Sequence, residues 1–384
     1  MTSRERMLFA LNHKEGDQVP LDFGAGRSCK FHLVFYKRLL DYFGIKEEVK
    51  LSSKISQLAM ASDKFLKVLG TDVRSVPPTW IKSGGGYPQE EWEDNDGYYW
   101  KDSWGTIRQM PKSMPYYYDM IYHPLMDKDG KEADDANYKW PNPDKLHPST
   151  ADVARKYQQD GYLTVFCGHF DDGFLQSGTR IYGFEQWLMM LATEKERAHN
   201  FNEKLLSRRL ELYDNVLEVL GDTVDVIEES DDLGTQGNTF ISKAMFREMV
   251  LPYWKTAWAY LRKKAPNVKI LLHSCGSVSD FLPDLIESGL HIINPVQISA
   301  ARMSPEYLKK EFGKDLVFWG GGINTQSTLD KGTKEQIREE VKYNIEQFGP
   351  GGGFVFAAVH NMQASVPTEN FINAWEAYKE FSKY

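Results

Sequence analysis

The chain has 384 residues, of which 41% are hydrophobic and 26% charged, a balance typical of a globular protein with a large apolar core. Its 46 Lys and Arg residues against 54 Asp and Glu residues give a net charge of −8. This acidic balance, without a dense basic run, excludes a nucleic acid or an anionic membrane surface as the expected main partner. No apolar stretch approaches the roughly 18 residues of a membrane span. An odd number of cysteines, three, favours a reducing, cytoplasmic location over a disulfide framework.

The first third of the chain is irregular. A helix is predicted over residues 3–12, and short strands over 19–23 and 72–76. The segment 80–122 holds four Trp and seven Tyr residues, and its turn at Asp94–Gly97 predicts a hairpin. We interpret residues 80–145 as an insertion, either an aromatic packing element or a lid. In the lid interpretation, Trp100 and Trp104 contact the substrate.

From about residue 160 onward, short apolar strands alternate with longer helical patterns. Continuous apolar runs of this kind are typical of strands that are covered on both faces. Strands are predicted over 163–167, 224–228, 269–273, 291–295, 316–319 and 353–357. Helices are predicted over 183–192, 194–219, 243–264, 278–288, 304–312, 333–348 and 367–382.

Alternation of strand and helix predicts a parallel sheet, either open and doubly wound or closed into a barrel. No Gly-x-Gly-x-x-Gly stretch follows the first strand, so the dinucleotide-binding fingerprint is missing. With the two early strands the count reaches about eight. We therefore predict an α/β fold of the (β/α)8 TIM barrel type, a single domain over 1–384 with the insertion at 80–145.

Residues that could bind a metal ion lie at the ends of two of the predicted strands. The strand over 269–273 ends in His273-Ser274-Cys275, and the i, i+2 spacing lets the imidazole and the thiol leave the strand on the same side. The last strand is followed by His360, a neighbour if the barrel closes. Three protein ligands with one open position are typical of a catalytic zinc site. The other interpretation of a His-x-Cys pair is an ordinary core or turn feature.

Polar residues follow three other strands. Four carboxylates lie at the end of the strand over 224–228. They are either a solvated acidic loop or functional groups, as a general acid or base, a metal ligand or a partner that orients a metal ligand. His169 follows the strand over 163–167. It is either a structural residue, a more common role for a lone histidine than metal binding, or a substrate-binding residue, and we count it among the substrate-binding candidates. Asn324 ends a Gly-Gly-Gly-Ile-Asn turn that could offer N–H groups to an anion, although tight turn geometry explains the glycines equally well. The four carboxylates are Glu228, Glu229, Asp231 and Asp232.

An ordered series of stretches resembles the uroporphyrinogen decarboxylase superfamily, and within it the corrinoid-dependent methyltransferase branch. The resemblance spans nearly the whole chain except the insertion, and the family fold is also a (β/α)8 barrel. The matching stretches are 3–12, 17–20, Tyr182–Trp187, Asp231–Gln236, 246–248, 251–253, His273–Gly276, Trp319–Gln326 and Gly351–Phe354.

The resemblance implies a zinc site built from His273, Cys275 and a later Cys, which in this chain is replaced by His360. A set of one thiolate and two imidazoles leaves Zn²⁺ with a net charge of +1 instead of zero, which favours an oxygen ligand. We therefore expect demethylation of an aryl methyl ether or an alcohol rather than methylation of a thiol.

The resemblance also implies a corrinoid (cobalamin) cofactor as the methyl carrier. The chain has no Asp-x-His-x-x-Gly corrinoid-binding stretch, so we expect the corrinoid on a separate partner protein. A small-molecule methyl donor or acceptor is the other partner, and a homodimer is a further expectation.

Two other functions stay open at this point. A cofactor-free decarboxylase of the uroporphyrinogen type needs clustered arginines for a substrate with eight carboxylates. The stretch Asp22–Arg27 keeps the Ala-Gly-Arg of that motif but lacks its first Arg and its Gln. The second of these functions is that of a non-catalytic binding barrel, which need not hold a metal.

Overall fold

The computed structural model of the protein describes residues 1–26, 28–127, 134–167 and 172–384. Its strands are β1 (Lys50–Ser53), β2 (Leu58–Met60), β3 (Val73–Ser75), β4 (Trp80–Ile81), β5 (Glu90–Glu93), β6 (Gly97–Lys101), β7 (Ile107–Pro111), β8 (Asp119–Tyr122), β9 (Lys145–Leu146), β10 (Leu163–Phe166), β11 (Val226–Ser230), β12 (Lys269–His273), β13 (Ile292–Asn294), β14 (Val317–Trp319) and β15 (Phe354–Val355). Its helices are α1 (Ser3–Leu11), α2 (Leu33–Tyr42), α3 (Asp63–Leu69), α4 (Ser149–Gln159), α5 (Gln176–Tyr182), α6 (Phe184–Thr193), α7 (Lys195–Leu220), α8 (Lys243–Met249), α9 (Leu251–Lys264), α10 (Leu282–Ser288), α11 (Pro305–Phe312), α12 (Thr328–Lys331), α13 (Lys334–Phe348) and α14 (Thr368–Phe381).

Seven parallel strands form one curled sheet in the order β3, β10, β11, β12, β13, β14, β15. The segment 20–22 lies between the two ends of this sheet. The Asp22 N–H donates to the Phe356 carbonyl at 2.9 Å beyond β15, and the Asp72 N–H donates to the Leu21 carbonyl at 2.9 Å just before β3. This segment therefore supplies the eighth position, and the predicted TIM barrel fold is confirmed.

Alternate residues of each strand point into the barrel, because side chains along a strand alternate between its two faces. Val165, Val226, Leu271, Val317 and Val355 belong to one buried cluster inside the barrel. The opposite faces of the strands pack against the surrounding helices in a second, larger cluster. Each interior face ends at the carboxyl edge of the sheet, which is the edge where barrel enzymes place their sites.

The predicted helix over 243–264 is two helices, α8 and α9. The break lies at Val250, whose φ of −126° is not helical. Pro252 follows at the start of α9, where a proline is tolerated because the first helical N–H groups have no intrahelical acceptor. A continuous helix would have set the proline ring against the carbonyl of Glu248, so the chain restarts instead.

The insertion forms its own antiparallel sheet of β5, β6, β7 and β8, next to the small β4–β9 pair. The predicted hairpin is confirmed, because β5 and β6 pair across Asp94–Gly97. The Asp94 carboxylate closes this turn by accepting the N–H groups of Asp96 and Gly97, at 2.8 and 3.0 Å. The insertion thus has local structure of its own, which its turn residues and aromatic strands dictate.

Among the helices in the described residues, none combines the length and the apolar character needed to cross a bilayer. The cytoplasmic location and the homodimer stay predictions.

Asp72 is the polar link that we expect to matter most for barrel closure. Its buried carboxylate accepts the Leu21 N–H at 2.9 Å and the Arg6 guanidinium at 2.6 Å. Asp72→Ala leaves both donors without this acceptor, so we expect the free energy of unfolding to fall by about 3 kcal/mol. Urea denaturation measures the loss. Asp17→Ala removes the exposed second partner of the same arginine and should cost less than about 1 kcal/mol. Equal losses would contradict this role of Asp72.

His291 predicts a pH-dependent stability. Burial, together with the charges of Lys269 and Arg262, lowers the pKa of His291 to about 4. Its Nδ1 accepts the Ile270 N–H at 3.1 Å, a bond that only the neutral ring can make. The unfolded chain binds this proton near pH 6.5, so stability falls as the pH drops from 6.5 to 4, by up to about 3 kcal/mol.

The variant His291→Gln should lose less stability than wild type over this pH interval, because it has no ring to protonate. Urea denaturation at pH 7.0 and pH 4.5 gives the two losses. The matched control is His147→Gln, at an exposed position, which should lose as much as wild type. A wild-type loss no larger than that of His291→Gln would refute the assignment.

Candidate metal centre and active site

Three potential metal ligands meet at the carboxyl edge of the barrel. His273 ends β12, Cys275 follows two residues later, and His360 follows β15. Their ligand atoms all lie within 4.8 Å of one another. The Cys275 Sγ lies 3.4 Å from the His273 Nε2, and the two imidazole centroids are 5.5 Å apart. The structure therefore brings together the three residues that the sequence pattern singled out.

The donor atoms fit a tetrahedral zinc ion. Zn–N bonds of about 2.0 Å and Zn–S bonds of about 2.3 Å at tetrahedral angles separate a nitrogen from a sulfur by about 3.5 Å. The observed Sγ to Nε2 distance of 3.4 Å is close to this value. One soft thiolate and two imidazoles are also the chemistry that zinc prefers. The three ligands leave one coordination position for a substrate atom.

Asn294 and Ser28 orient the His273 ring. The Asn294 Nδ2 donates to the Trp319 carbonyl at 2.8 Å, so its Oδ1 is the atom that faces the His273 Nδ1, at 2.6 Å. An oxygen here needs a donor, which assigns the proton to Nδ1. The Ser28 Oγ lies 2.7 Å from the same nitrogen. The Nε2 lone pair is then directed toward Cys275, as a metal ligand requires.

Parallel register explains why these residues meet. Ser230 pairs with His273, and His273 pairs with Asn294, across β11, β12 and β13. All three are the last interior-facing residues of their strands, so they lie side by side at the rim. The side-by-side placement of these three residues is a consequence of strand pairing. It can be predicted from the sequence only if the ends of the three strands are aligned with one another.

Two backbone features shape the loops that carry the other ligands. Gly276 has a φ of +85°, and a Cβ atom there would lie 2.4 Å from the carbonyl carbon of Gly234, so only glycine permits this close approach. The approach lets the Asp232 carboxylate accept the Cys275 N–H at 2.9 Å. His360 has a φ of 87°, an unfavourable conformation that costs about 1 to 3 kcal/mol and is found most often at functional sites.

Two of the four predicted carboxylates lie away from the potential metal ligands and hydrogen-bond other groups of the protein. Glu229 points outward from β11 and is buried against Arg209 and Tyr213 of α7. Asp231 accepts the Gln176 N–H at 2.9 Å and the Trp254 Nε1–H at 3.0 Å. Burial raises the pKa of Asp231 to about 7.

The other two carboxylates are nearer to the ligands. The Asp232 Oδ1 lies 3.9 Å from the His273 Nε2, and its side chain lines the adjoining cavity. Glu228 faces the barrel interior, near the Cys167 thiol. Burial, together with the negative charge of Glu228, raises the pKa of that thiol well above its ordinary value. Of the four, Asp232 alone is placed beside the three ligands and in the cavity wall.

A cavity of about 670 Å³ opens at the ligands, large enough for a small molecule. Its floor is the barrel rim, one wall is the β1–β2 hairpin, and another wall is the insertion. The insertion is held over the barrel by the Tyr118 N–H, which donates to the Ile55 carbonyl at 2.9 Å. The lining residues that bear on the chemistry are Lys30, Arg108, Tyr117, Tyr118, Cys167, Asp232, His273 and His360.

Three of the four predicted substrate-binding residues lie outside the cavity wall. Trp104 is buried in the base of the insertion, with Arg180 at 4.6 Å and Arg208 at 5.0 Å from its ring centre. Trp100 packs against Lys54, and neither tryptophan lines the cavity. Asn324 is turned into its own loop, where it accepts the Gln326 N–H at 2.9 Å. The prediction for His169 lies outside the described residues.

Sequence reasoning missed Ser28, Lys30, Asn294 and Tyr117. Asn294 could have been found from its place at the end of a strand, two residues after Ile292, by the same argument that selected His273. Ser28 and Lys30 follow the eighth, closing segment and become neighbours of the ligands only when the barrel closes. Tyr117 stands in a run of three tyrosines, and its position over the rim depends on how the insertion folds back.

The uroporphyrinogen decarboxylase (URO-D) family matches residues 174–381 of the chain. A methyltransferase from Methanosarcina mazei has a similar structure, with a TM-score of 0.64, 16% identity and 99% of each chain covered. At this identity the likeness shows a shared fold. A GH10 endoxylanase retrieved from a sugarcane soil metagenome has a TM-score of 0.38 and 6% identity, covering 60% of this chain and 82% of its own. No curated protein sequence matches the chain.

We predict that Asn294 strengthens metal binding through the His273 ring. Asn294→Ala removes the acceptor of the Nδ1 proton, so we expect roughly 10- to 100-fold weaker zinc affinity. Competition with a chromophoric zinc chelator measures the affinity. The control is Asn324→Ala, which removes the same type of side chain from a loop away from the ligands and should keep wild-type affinity. An unchanged affinity in Asn294→Ala would show that the network does not support the ligand.

Proposed function

Because the chain belongs to the uroporphyrinogen decarboxylase family, we propose that it is a methyltransferase of that family. It moves a methyl group between a small substrate and the corrinoid of a partner protein. The observation that carries the proposal is the convergence of His273, Cys275 and His360 within 4.8 Å of one another at the floor of a substrate-sized cavity. The TIM barrel fold shared with a methyltransferase supports it.

The three ligands would hold Zn²⁺. When bound, zinc supplies Lewis-acid chemistry at the substrate heteroatom, and a reduced corrinoid supplies the nucleophile for the methyl carbon. One thiolate with two neutral imidazoles retains one positive charge at the site. That charge favours oxygen as the substrate heteroatom, so the proposed substrate is an aryl methyl ether or a related alcohol derivative.

The protein's own residues would position the reacting groups. Demethylation would break the carbon–oxygen bond and leave the electron pair on the oxygen, with the reduced corrinoid of the partner protein as the methyl acceptor. Asp232, in the cavity wall 3.9 Å from the His273 Nε2, is the carboxylate suited to hold a proton for that oxygen. It also fixes the Cys275 loop through the Cys275 N–H. Glu228 lies next to Cys167 and does not itself line the cavity.

The insertion would exclude water from the site. Tyr117 and Tyr118 come from the segment before β8 and line the cavity together with the ligand residues. Tyr117 is half-exposed, and partial desolvation of its hydroxyl, together with nearby carboxylates that include Asp172 and Asp232 at the barrel rim, raises the pKa of that hydroxyl. This tyrosine therefore replaces Trp100 and Trp104 as the proposed aromatic contact. The insertion keeps the lid role proposed for it, with different residues.

The decarboxylase alternative has less support from the cavity. The arginines of the cavity wall, within the described residues, are already paired with carboxylates of the protein. Arg74 pairs with Asp63 at 2.8 Å, and Arg108 pairs with Asp102. A substrate with eight carboxylates would be left with few cations to pair with.

Metal content tests the proposal and the binding-barrel alternative together. We expect about one zinc ion per wild-type chain by elemental analysis, lost in Cys275→Ala and in His360→Ala. Cys167→Ala, which removes a cavity thiol outside the ligand set, should keep the metal. Zinc-free wild-type protein, purified without a chelator, would exclude the proposed site.

Methyl transfer is the second part of the test. The zinc-loaded protein, an aryl methyl ether and reduced cobalamin should yield methylcobalamin, which is followed by its absorption spectrum. Cys275→Ala should lower the rate by at least about 100-fold, because it removes the charged ligand. Equal rates in both proteins would rule out metal-assisted transfer.

A further inference from the structure

We propose that Lys30 recognises a carboxylate on the substrate, so that the substrate is an anionic methyl ether. This inference rests on the proposed function, because it concerns the same cavity. Lys30 lines the cavity together with His273 and His360. The substrate would then be held at two points, by its heteroatom at the ligand cluster and by its carboxylate at the Lys30 ammonium.

The backbone of Lys30 is fixed beside the third ligand. Its N–H donates to the Asn361 Oδ1 at 2.9 Å, and its carbonyl accepts the Met362 N–H at 2.9 Å. Phe31 continues this pairing with a parallel bridge to Met362. Lys30 and His360 are therefore carried by adjoining segments, and the distance between them does not depend on a flexible loop.

Lys30 differs from the other cations around the floor of the cavity. Arg180 pairs with Asp172 at 2.6 Å, and Arg74 and Arg108 have the carboxylate partners given above. Lys30 forms no ion pair with any described residue. Its side chain is half-buried, and an ammonium in that setting gains more from an ionic partner than one in open water.

The electrostatics of the floor agree with an ammonium directed into the cavity. The positive charge of Lys30 opposes, in part, the burial that raises the pKa of the Cys167 thiol. Cys167 lines the same cavity at the end of β10. The positive charge of Lys30 therefore acts on a group at the barrel rim.

The rest of the cavity favours a single negative charge on an aromatic frame. Asp119 and Asp232 also line it, and they would repel the second charge of a phosphate ester, whereas Asp172 is already paired with Arg180. Tyr117 and Tyr118 offer ring faces and edges to an aromatic group. A methoxy-substituted aromatic monocarboxylate satisfies these three features together.

The experiment compares 3-methoxybenzoate with 3-methoxybenzamide, which has nearly the same shape and no charge. Binding to the zinc-loaded full chain, without corrinoid, is measured by calorimetry. We expect wild type to bind the benzoate roughly 10-fold or more tightly than the benzamide, as a charge-assisted contact implies. Lys30→Met should abolish the preference by weakening benzoate binding alone, and Lys30→Arg should restore most of it.

Lys50→Met is the matched control, because Lys50 lines the same cavity from the exposed β1–β2 hairpin. It should keep the preference for the benzoate. Equal affinity of wild type for both probes, or no binding of the benzoate, overturns the assignment. An equal loss of both probes in Lys30→Met also overturns it, since that result indicates a purely structural role.

The same samples separate this inference from the proposed function. If the zinc-loaded protein transfers methyl groups equally well from both probes, the methyltransferase proposal stands and the Lys30 assignment falls. If no zinc binds but the preference for the benzoate persists and depends on Lys30, the anion site stands and the methyltransferase proposal falls.

Discussion

In the barrel, β11, β12 and β13 pair so that Ser230, His273 and Asn294 occupy neighbouring positions at one rim. Parallel register of this kind leaves little freedom, because a slip of one residue would turn His273 away from the interior. The ring is then fixed by Asn294, whose amide is itself held by the Trp319 carbonyl of the next strand. The position of the His273 ring in the candidate metal centre thus depends on the backbone pairing of four adjacent strands.

Barrel closure adds the residues that the seven-stranded sheet does not carry. The segment 20–22 joins the sheet edges, and the residues that follow it bring Ser28 to the His273 ring and Lys30 to the segment beyond His360. The same closure depends on Asp72, buried at the amino end. One segment near the start of the chain therefore links the stability of the fold to the composition of the site.

The insertion turns an open barrel rim into a cavity. The Trp104 ring packs against the guanidinium groups of Arg180 and Arg208, and these contacts anchor the insertion. The Tyr118 N–H joins the insertion to the β1–β2 hairpin by donating to the Ile55 carbonyl. The aromatic residues thus divide into two groups. The tryptophans pack and hold the insertion in place, while Tyr117 and Tyr118 face the site. An amphipathic tyrosine suits a wall that is apolar on one side and polar on the other.

The order of strands and helices, the barrel and the His273–Cys275 pair could all be predicted from the amino-acid sequence. These follow from local periodicity, and a side-chain spacing of two along a strand needs no knowledge of the rest of the chain. His360 was predicted on the condition that the barrel closes, which the structure meets. The four carboxylates could not be separated, because burial of Glu229 and Asp231 depends on helices far away in sequence. The residues of the cavity wall could not be predicted either. Tyr117 and Lys30 line the cavity, and Trp100 and Trp104 do not, because distant segments of the chain fold back over the rim.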